Sequence, residues 1–138
     1  IMAGCDIVAI DATSRPRLDG RTFAETCQIL HEEGALVMAD CGSFEDAKAA
    51  YEAGADIIST TLAGYTGDRE KSVGPDLELL KEIVAAYPDA AVICEGRIHT
   101  PQDAVEAMNA GAFAVIVGTG ITHPTSITTW FKDAVENR

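Results

Sequence analysis

Basic residues are few and aromatic ones scarcer still. Ten Lys+Arg stand against 22 Asp+Glu, a formal charge of −12, and Phe, Tyr and Trp together make up 6% of the 138 residues. A surface field of that sign repels polyanions, which excludes a nucleic-acid platform. No apolar run approaches the roughly 18 residues that cross a bilayer, and Ile1 to Asp11 lack the basic start and long apolar core of an export signal. Cys5, Cys27, Cys41 and Cys94 have neither a CxxC spacing nor the density of a disulfide framework, so reduced thiols in a cytoplasmic protein are expected. Cys41 and Cys94 fall close to the polar strand ends but read as packing residues. His31 lies near a helix end, where dipole or solvent accounts for it. His99 and His123 have no i, i+4 partner and no Cys/His grouping, so no metal site is expected.

What is abundant is apolar: 47% of the chain, enough for one core. It is arranged in five short runs, Asp6 to Ile10, Ala35 to Ala39, Asp56 to Thr60, Ala91 to Cys94 and Phe113 to Val117. Continuous rather than alternating apolarity fits strands covered on both faces, as in a parallel sheet. Helical patterns fill the gaps. Phe23, Cys27 and Leu30 form one stripe, stopping at Gly34, and Leu77, Leu80, Val84 and Tyr87 another, stopping before Pro88. Ser43 with Asp46, and Thr100 with Pro101 and Asp103, have the composition of helix starts, with Gly54 and Gly111 just past the ends. Ile127, Trp130, Phe131, Ala134 and Val135 make the last helix amphipathic. Ser43, Asp46, Ala47, Ala50, Gly54 and Ala55 recur at an offset of 57 as Thr100, Asp103, Ala104, Ala107, Gly111 and Ala112. A βα unit repeated in this way suits a doubly wound sheet or a (β/α)8 barrel.

The absence of GxGxxG after every strand lowers the first option. Polar residues at every strand end raise the second, because a barrel gathers its chemistry at the carboxyl ends of its strands. A barrel needs eight strands over about 250 residues. The chain is therefore expected to be a partial TIM barrel, residues 1–138 forming part of one domain.

Among the strand-end groups, Glu95 closes the run AVIC and is the acid/base candidate, since partial burial there raises a carboxyl towards working pH. A structural pair with Arg97 is the alternative. Gly118-Thr119-Gly120-Ile121-Thr122 follows the last strand and suits phosphate, with Gly96 and Arg97 facing the same point; a plain strand-to-helix turn is the alternative. Asp11 and Asp40 either bind sugar hydroxyls or accept from loop amides. Thr60 and Thr61 open a hydroxyl-lined loop, TTLAGYT, through Thr66, suited to a polar ligand, and are expected to bind the sugar substrate. Arg15, Arg17 and Arg21 place local positive charge where an anionic substrate would enter, or are solvated.

Together these motifs resemble one family. DIVAIDAT with Arg15 and Arg17, Asp40 with Ser43, TTLAGYT, CEGRI with Thr100-Pro101, and Val117-Gly118 with Ile121-Thr122 are similar to the N-acylglucosamine-6-phosphate (N-acetylmannosamine-6-phosphate) 2-epimerases along essentially the whole chain. The resemblance implies a TIM barrel that interconverts the two phosphosugars in sialic-acid and amino-sugar catabolism, without a redox cofactor. It implies a phosphosugar as partner, with a homodimer allowed. It assigns the family's glutamate to Glu95, a sugar ligand to Asp40 and the phosphate loops to Gly96, Arg97, Gly118 and Gly120. Two departures accompany it. The family's catalytic lysine ends the third barrel strand, and here Lys48, Lys81 and Lys132 fall on expected helices and Lys71 in a loop. The chain is thus expected to be the last five βα units, lacking the first three and inactive alone. His123 also stands where an arginine is expected, which would make that phosphate contact depend on protonation. A non-catalytic phosphosugar-binding module, or another phosphate-binding barrel enzyme, are the other readings.

Overall fold

The computed structural model describes residues 4–138, so the first three residues of the expected domain lie outside it. Five strands alternate with helices: β1 (Ile7–Asp11), α1 (Phe23–Glu32), β2 (Leu36–Asp40), α2 (Phe44–Glu52), β3 (Ile57–Ser59), α3 (Leu77–Ala86), β4 (Ala91–Glu95), α4 (Pro101–Asn109) and β5 (Ala114–Ile116), followed by α5 (Thr119–Thr122) and α6 (Pro124–Glu136). Each strand pairs in parallel with the next, in the order β1-β2-β3-β4-β5. That order never reverses. A doubly wound sheet has a switch point where it does, so this sheet is wound in one direction, as in a (β/α)8 barrel, and five of the eight units are present.

Local chemistry explains the helix starts. Ser43 and Thr100 accept from the N–H of Asp46 and Asp103, whose carboxylates reach back to the cap backbone, two reciprocal capping boxes. Thr22 and Glu25 build a third on α1. The repeat at an offset of 57 is thus a repeated stop-and-start device. Asp76 caps α3 by accepting from Leu79 N–H.

The core lies between the sheet and its helices. Ala39, Ile58, Val92 and Cys94 pack with Ala47, Ala50, Leu79, Leu80, Ile83 and Ala107. Period-2 alternation sends their strand neighbours to the other face, the inner face of a barrel. That face grows polar towards the carboxyl ends of the strands, at Asp11, Asp40 and Glu95. The central strands are mostly buried, Ile7 on β1 and Leu36 at the start of β2 are half exposed, and Phe131 and Val135, on the expected apolar stripe of α6, are largely exposed. The stripe forms as a helix but is not covered by the described residues.

Candidate active site

β3 ends at Ser59, one rung before β4 ends at Glu95. Thr60 fills the missing rung with its side chain. Its Oγ1 accepts from Glu95 N–H at 3.1 Å and donates to Glu95 C=O at 3.0 Å. Thr60 is fully buried, so its hydroxyl holds the backbone of Glu95, whereas a sugar ligand had been expected there.

The Glu95 side chain turns the other way. Its Oε2 lies 3.1 Å from Thr61 Oγ1 and 3.4 Å from Ser59 Oγ, and Thr61 Oγ1 lies 2.7 Å from Asp40 Oδ1. Burial raises the Glu95 carboxyl above its ordinary range; Thr61 and Ser59 oppose this by hydrogen bonding, and the Asp40 charge adds to it. Asp40 is raised as well, chiefly by burial, against the Thr61 hydrogen bond and with the charge of Asp11 behind it. A half-buried carboxyl with raised proton affinity at a barrel-strand end has the properties of a general acid or base.

A hollow of about 170 Å³ lies against this carboxyl. Glu95, Gly96, Arg97, Thr61, Gly118 and Thr119 are among its lining residues, so the glutamate and both glycine-bearing loops meet there. Gly96 sits at φ 99° and Arg97 at 57°, the non-glycine at positive φ among the described residues. The Arg97 side chain consequently runs back along the loops. Its Nε donates to Gly74 O at 3.0 Å, Nη1 to Ala63 O at 2.7 Å and Nη2 to Ser72 Oγ at 3.0 Å, and the guanidinium lies 5.3 Å from the Tyr65 ring centre. It fastens the long β3–α3 connection, a role that sequence spacing did not disclose.

Gly118 starts α5 without a side-chain cap; its carbonyl takes the N–H groups of Ile121 and Thr122, which leaves those of Thr119 and Gly120 for a ligand. Gly120 answers to packing, because a Cβ there would stand 2.8 Å from Ile98 O. His123 lies outside the hollow. Its Nδ1 is 2.8 Å from Ser126 Oγ and accepts from Ser126 N–H at 3.3 Å, capping α6. His99, on the hollow's rim, packs against Trp130 with ring centres 4.4 Å apart and the rings tilted by 41°.

Asp11 holds its own loop. It accepts from Thr13 N–H at 2.8 Å and Thr13 Oγ1 at 2.6 Å and pairs with Arg15. Its partial burial works against ionisation, yet the Thr13 hydrogen bonds and the Arg15 charge prevail and keep the carboxyl below its ordinary value. A wider hollow, about 970 Å³, adjoins this loop and the start of α2. The arginines along it are engaged: Arg15 with Asp11, Arg21 with Asp19, Arg69 with Asp76, and Arg17 with the Asp11 carbonyl and the Phe23 ring. Cys41 and Cys94 are fully buried and their thiols pushed up by burial, as packing residues. Among the described residues no group of His, Cys, Asp and Glu could hold a metal ion, and no helix is long and apolar enough to cross a membrane.

A singly wound parallel sheet, helices on its outer face and acid groups at its carboxyl ends define a segment of a (β/α)8-barrel. A family model described as "Putative N-acetylmannosamine-6-phosphate epimerase" matches residues 1–137, and the chain belongs to that family. A curated relative from Cutibacterium acnes, bearing the name of the 2-epimerase, is 57% identical over 135 residues, 96% of this chain and 59% of its own length. The solved N-acetylmannosamine-6-phosphate 2-epimerase of Clostridium perfringens superposes with a TM-score of 0.91 at 40% identity, over 95% of this chain and 57% of that one. A mandelate oxidase variant, 24% identical, shares the fold with a TM-score of 0.62. The chain spans about 59% of the length of that first curated relative.

Proposed function

We propose that the chain is the glutamate- and phosphate-bearing part of an epimerase that interconverts N-acetylmannosamine 6-phosphate and N-acetylglucosamine 6-phosphate. The observation that carries this is the position of Glu95: half-buried, proton-hungry and clamped at a strand end beside Asp40, with Gly96 and Gly118 lining the same hollow. Inverting C2 requires a proton to leave a carbon next to the aldehyde and another to arrive on the opposite face. Glu95 serves one face, and the lysine of the family pattern serves the other from a strand this chain does not include. Five units of eight agree with the 59% of the first curated relative's length that the chain spans, and we place them as the last five.

Asp40 orients the sugar. Gly96 and the Gly118–Gly120 turn hold the phosphate through backbone N–H groups. Arg97 contributes through those of its five N–H donors that Gly74, Ala63 and Ser72 leave over. The hollow of about 170 Å³ falls below the roughly 300–1,000 Å³ of small-molecule sites, in keeping with a site whose other wall belongs to the first three units. The role is that of a cytoplasmic enzyme of amino-sugar breakdown, working as a monomer or a homodimer.

The test is NMR of the complete protein with N-acetylmannosamine 6-phosphate in D2O. Appearance of N-acetylglucosamine 6-phosphate carrying deuterium at C2 supports the function; no interconversion overturns it. The 138-residue chain assayed alone should show no turnover, and turnover from it would refute the need for the other units.

A further inference from the structure

Ser59 and Thr61 stand two residues apart at the end of β3, so their side chains leave on the same side. Both point into the space between Asp40 of β2 and Glu95 of β4. Thr61 Oγ1 is 2.7 Å from Asp40 Oδ1, 3.1 Å from Glu95 Oε2 and 2.7 Å from Ser59 Oγ. Two carboxyl groups on strands that are not neighbours are thereby joined through a single hydroxyl.

A threonine hydroxyl has one proton to give and lone pairs to receive with. If both carboxyls are ionised, Thr61 can donate to one of them, and the 2.7 Å contact marks Asp40 as the acceptor. Glu95 Oε2 then faces a lone pair of Thr61 at 3.1 Å, with only Ser59 at 3.4 Å to offer a proton, beyond good hydrogen-bond distance. One proton on Glu95 Oε2 removes the conflict. Glu95 O–H donates to Thr61 Oγ1 while Thr61 O–H donates to Asp40 Oδ1, and every oxygen in the line has a partner. Burial of both carboxyls favours the same occupancy, and the Asp40 charge adds to it at Glu95.

From this geometry we infer that Thr61 is a proton-relay residue between Glu95 and Asp40, and that the two carboxyls share one proton through it. In the transfer the Glu95 O–H bond breaks as its proton passes to Thr61 Oγ1, and the proton that Thr61 held passes to Asp40 Oδ1. Glu95 is left as carboxylate and Asp40 as carboxylic acid; the reverse shift restores both, and no electrons are exchanged with any other group. Thr61 is thus a positioning and relay group, whereas the sequence suggested a sugar ligand. Other charges bear on the pair: Asp11 on β1, held by Arg15, acts on Asp40, while Arg97 and His99 border the same hollow as Glu95. β5 contributes the uncharged Ile116.

The inference rests on the epimerase function proposed above and deepens it. Glu95 can take a proton from carbon only as a carboxylate. The relay moves the shared proton to Asp40 and so frees Glu95 for that step without recourse to bulk water.

Its test is a carboxyl 13C NMR titration of the complete protein, compared with Thr61→Val and Thr61→Ser. In the wild type, Glu95 and Asp40 should report the same two midpoints, as coupled groups do. Thr61→Val removes the hydroxyl that stabilises the singly protonated pair, so the midpoints should close by about one pH unit, and Thr61→Ser should restore them. In the assay, Thr61→Val should lower kcat about tenfold with KM little changed. Unchanged midpoints in Thr61→Val overturn the relay, as does a loss confined to KM. Should Thr61→Val not fold, Asp40→Asn decides: Glu95 must then titrate in one step with a lower midpoint, and an unmoved midpoint overturns the inference. The titration needs no turnover. Coupled midpoints without epimerisation would keep the relay and discard the proposed function, and the converse result would do the opposite.

Discussion

Thr60 Oγ1 and the backbone of Glu95 form a closed pair of hydrogen bonds, 3.1 Å from the N–H and 3.0 Å to the C=O. The side chain of one strand end stands in for the backbone of a rung that the sheet no longer provides. Glu95 therefore leaves β4 with its backbone fixed, although the strand beside it has already ended.

Replacing that hydroxyl should be costly for its size. Thr60→Val keeps the volume but strands a buried donor and acceptor, so a loss of about 1–3 kcal/mol is expected in denaturant unfolding. Turnover should fall along with it, because Glu95 is no longer held. A variant as stable as the wild type would show that the two bonds contribute nothing net.

Glu95→Gln should trade activity for stability. Proton transfer by a positioned side chain is worth about 10²–10⁴-fold, so kcat of the complete protein should drop by that order with substrate binding retained. The fold raises this carboxyl, so its ionised form is disfavoured, and the penalty grows as pH rises through the ordinary value of 4.5 towards the raised one. Thermal unfolding of Glu95→Gln should match the wild type below pH 4.5 and exceed it at pH 7.

Asp76 does the opposite. It caps α3 and takes two hydrogen bonds from Arg69, at 2.7 and 3.1 Å. Burial alone would raise it, but the Arg69 and Leu79 hydrogen bonds and the Arg69 charge carry it below its ordinary value. Its contribution is full above pH 3.8 and is lost as pH falls through the depressed value. Asp76→Ala should cost about 2–4 kcal/mol at neutral pH, and the deficit should shrink in acid; chemical denaturation across pH measures both.

His123→Arg separates capping from phosphate binding. The imidazole accepts from Ser126 N–H, which arginine cannot do, so about 0.5–2 kcal/mol of stability should go. A permanent charge and a fork of donors beside the Gly118–Gly120 turn should in return tighten binding of the 6-phosphate. Titration calorimetry with phosphorylated and unphosphorylated sugar tests this, and equal changes for both would place His123 away from the phosphate.

Most of the fold could be read from the chain because its signals are local. Ser43 with Asp46 and Thr100 with Asp103 announce helix starts by themselves, and all five apolar runs became strands within a residue or two. The repeated βα unit left a doubly wound sheet and a barrel open, and the polar strand ends favoured the barrel, whose order the sheet has. α5 escaped notice because its four residues carry no periodic stripe. The Glu95, Gly96 and Gly118 grouping was legible because strand ends of a barrel share a face. The commitments of Arg97 were not: Ala63, Ser72 and Gly74 lie more than twenty residues away, and only the positive φ at Arg97 aims the side chain at them. Ser59 was missed because it lies inside the apolar run Asp56 to Thr60, though its spacing from Thr61 places both hydroxyls on one side.

Trp130 is the single tryptophan of the chain, and the ring packed against it at 4.4 Å belongs to His99, on the rim of the hollow beside Glu95. Any event that shifts that imidazole alters a direct neighbour of the only indole fluorophore. The molecule thus has a built-in optical gauge, and the emission of Trp130 can follow occupancy of the site in real time without a label.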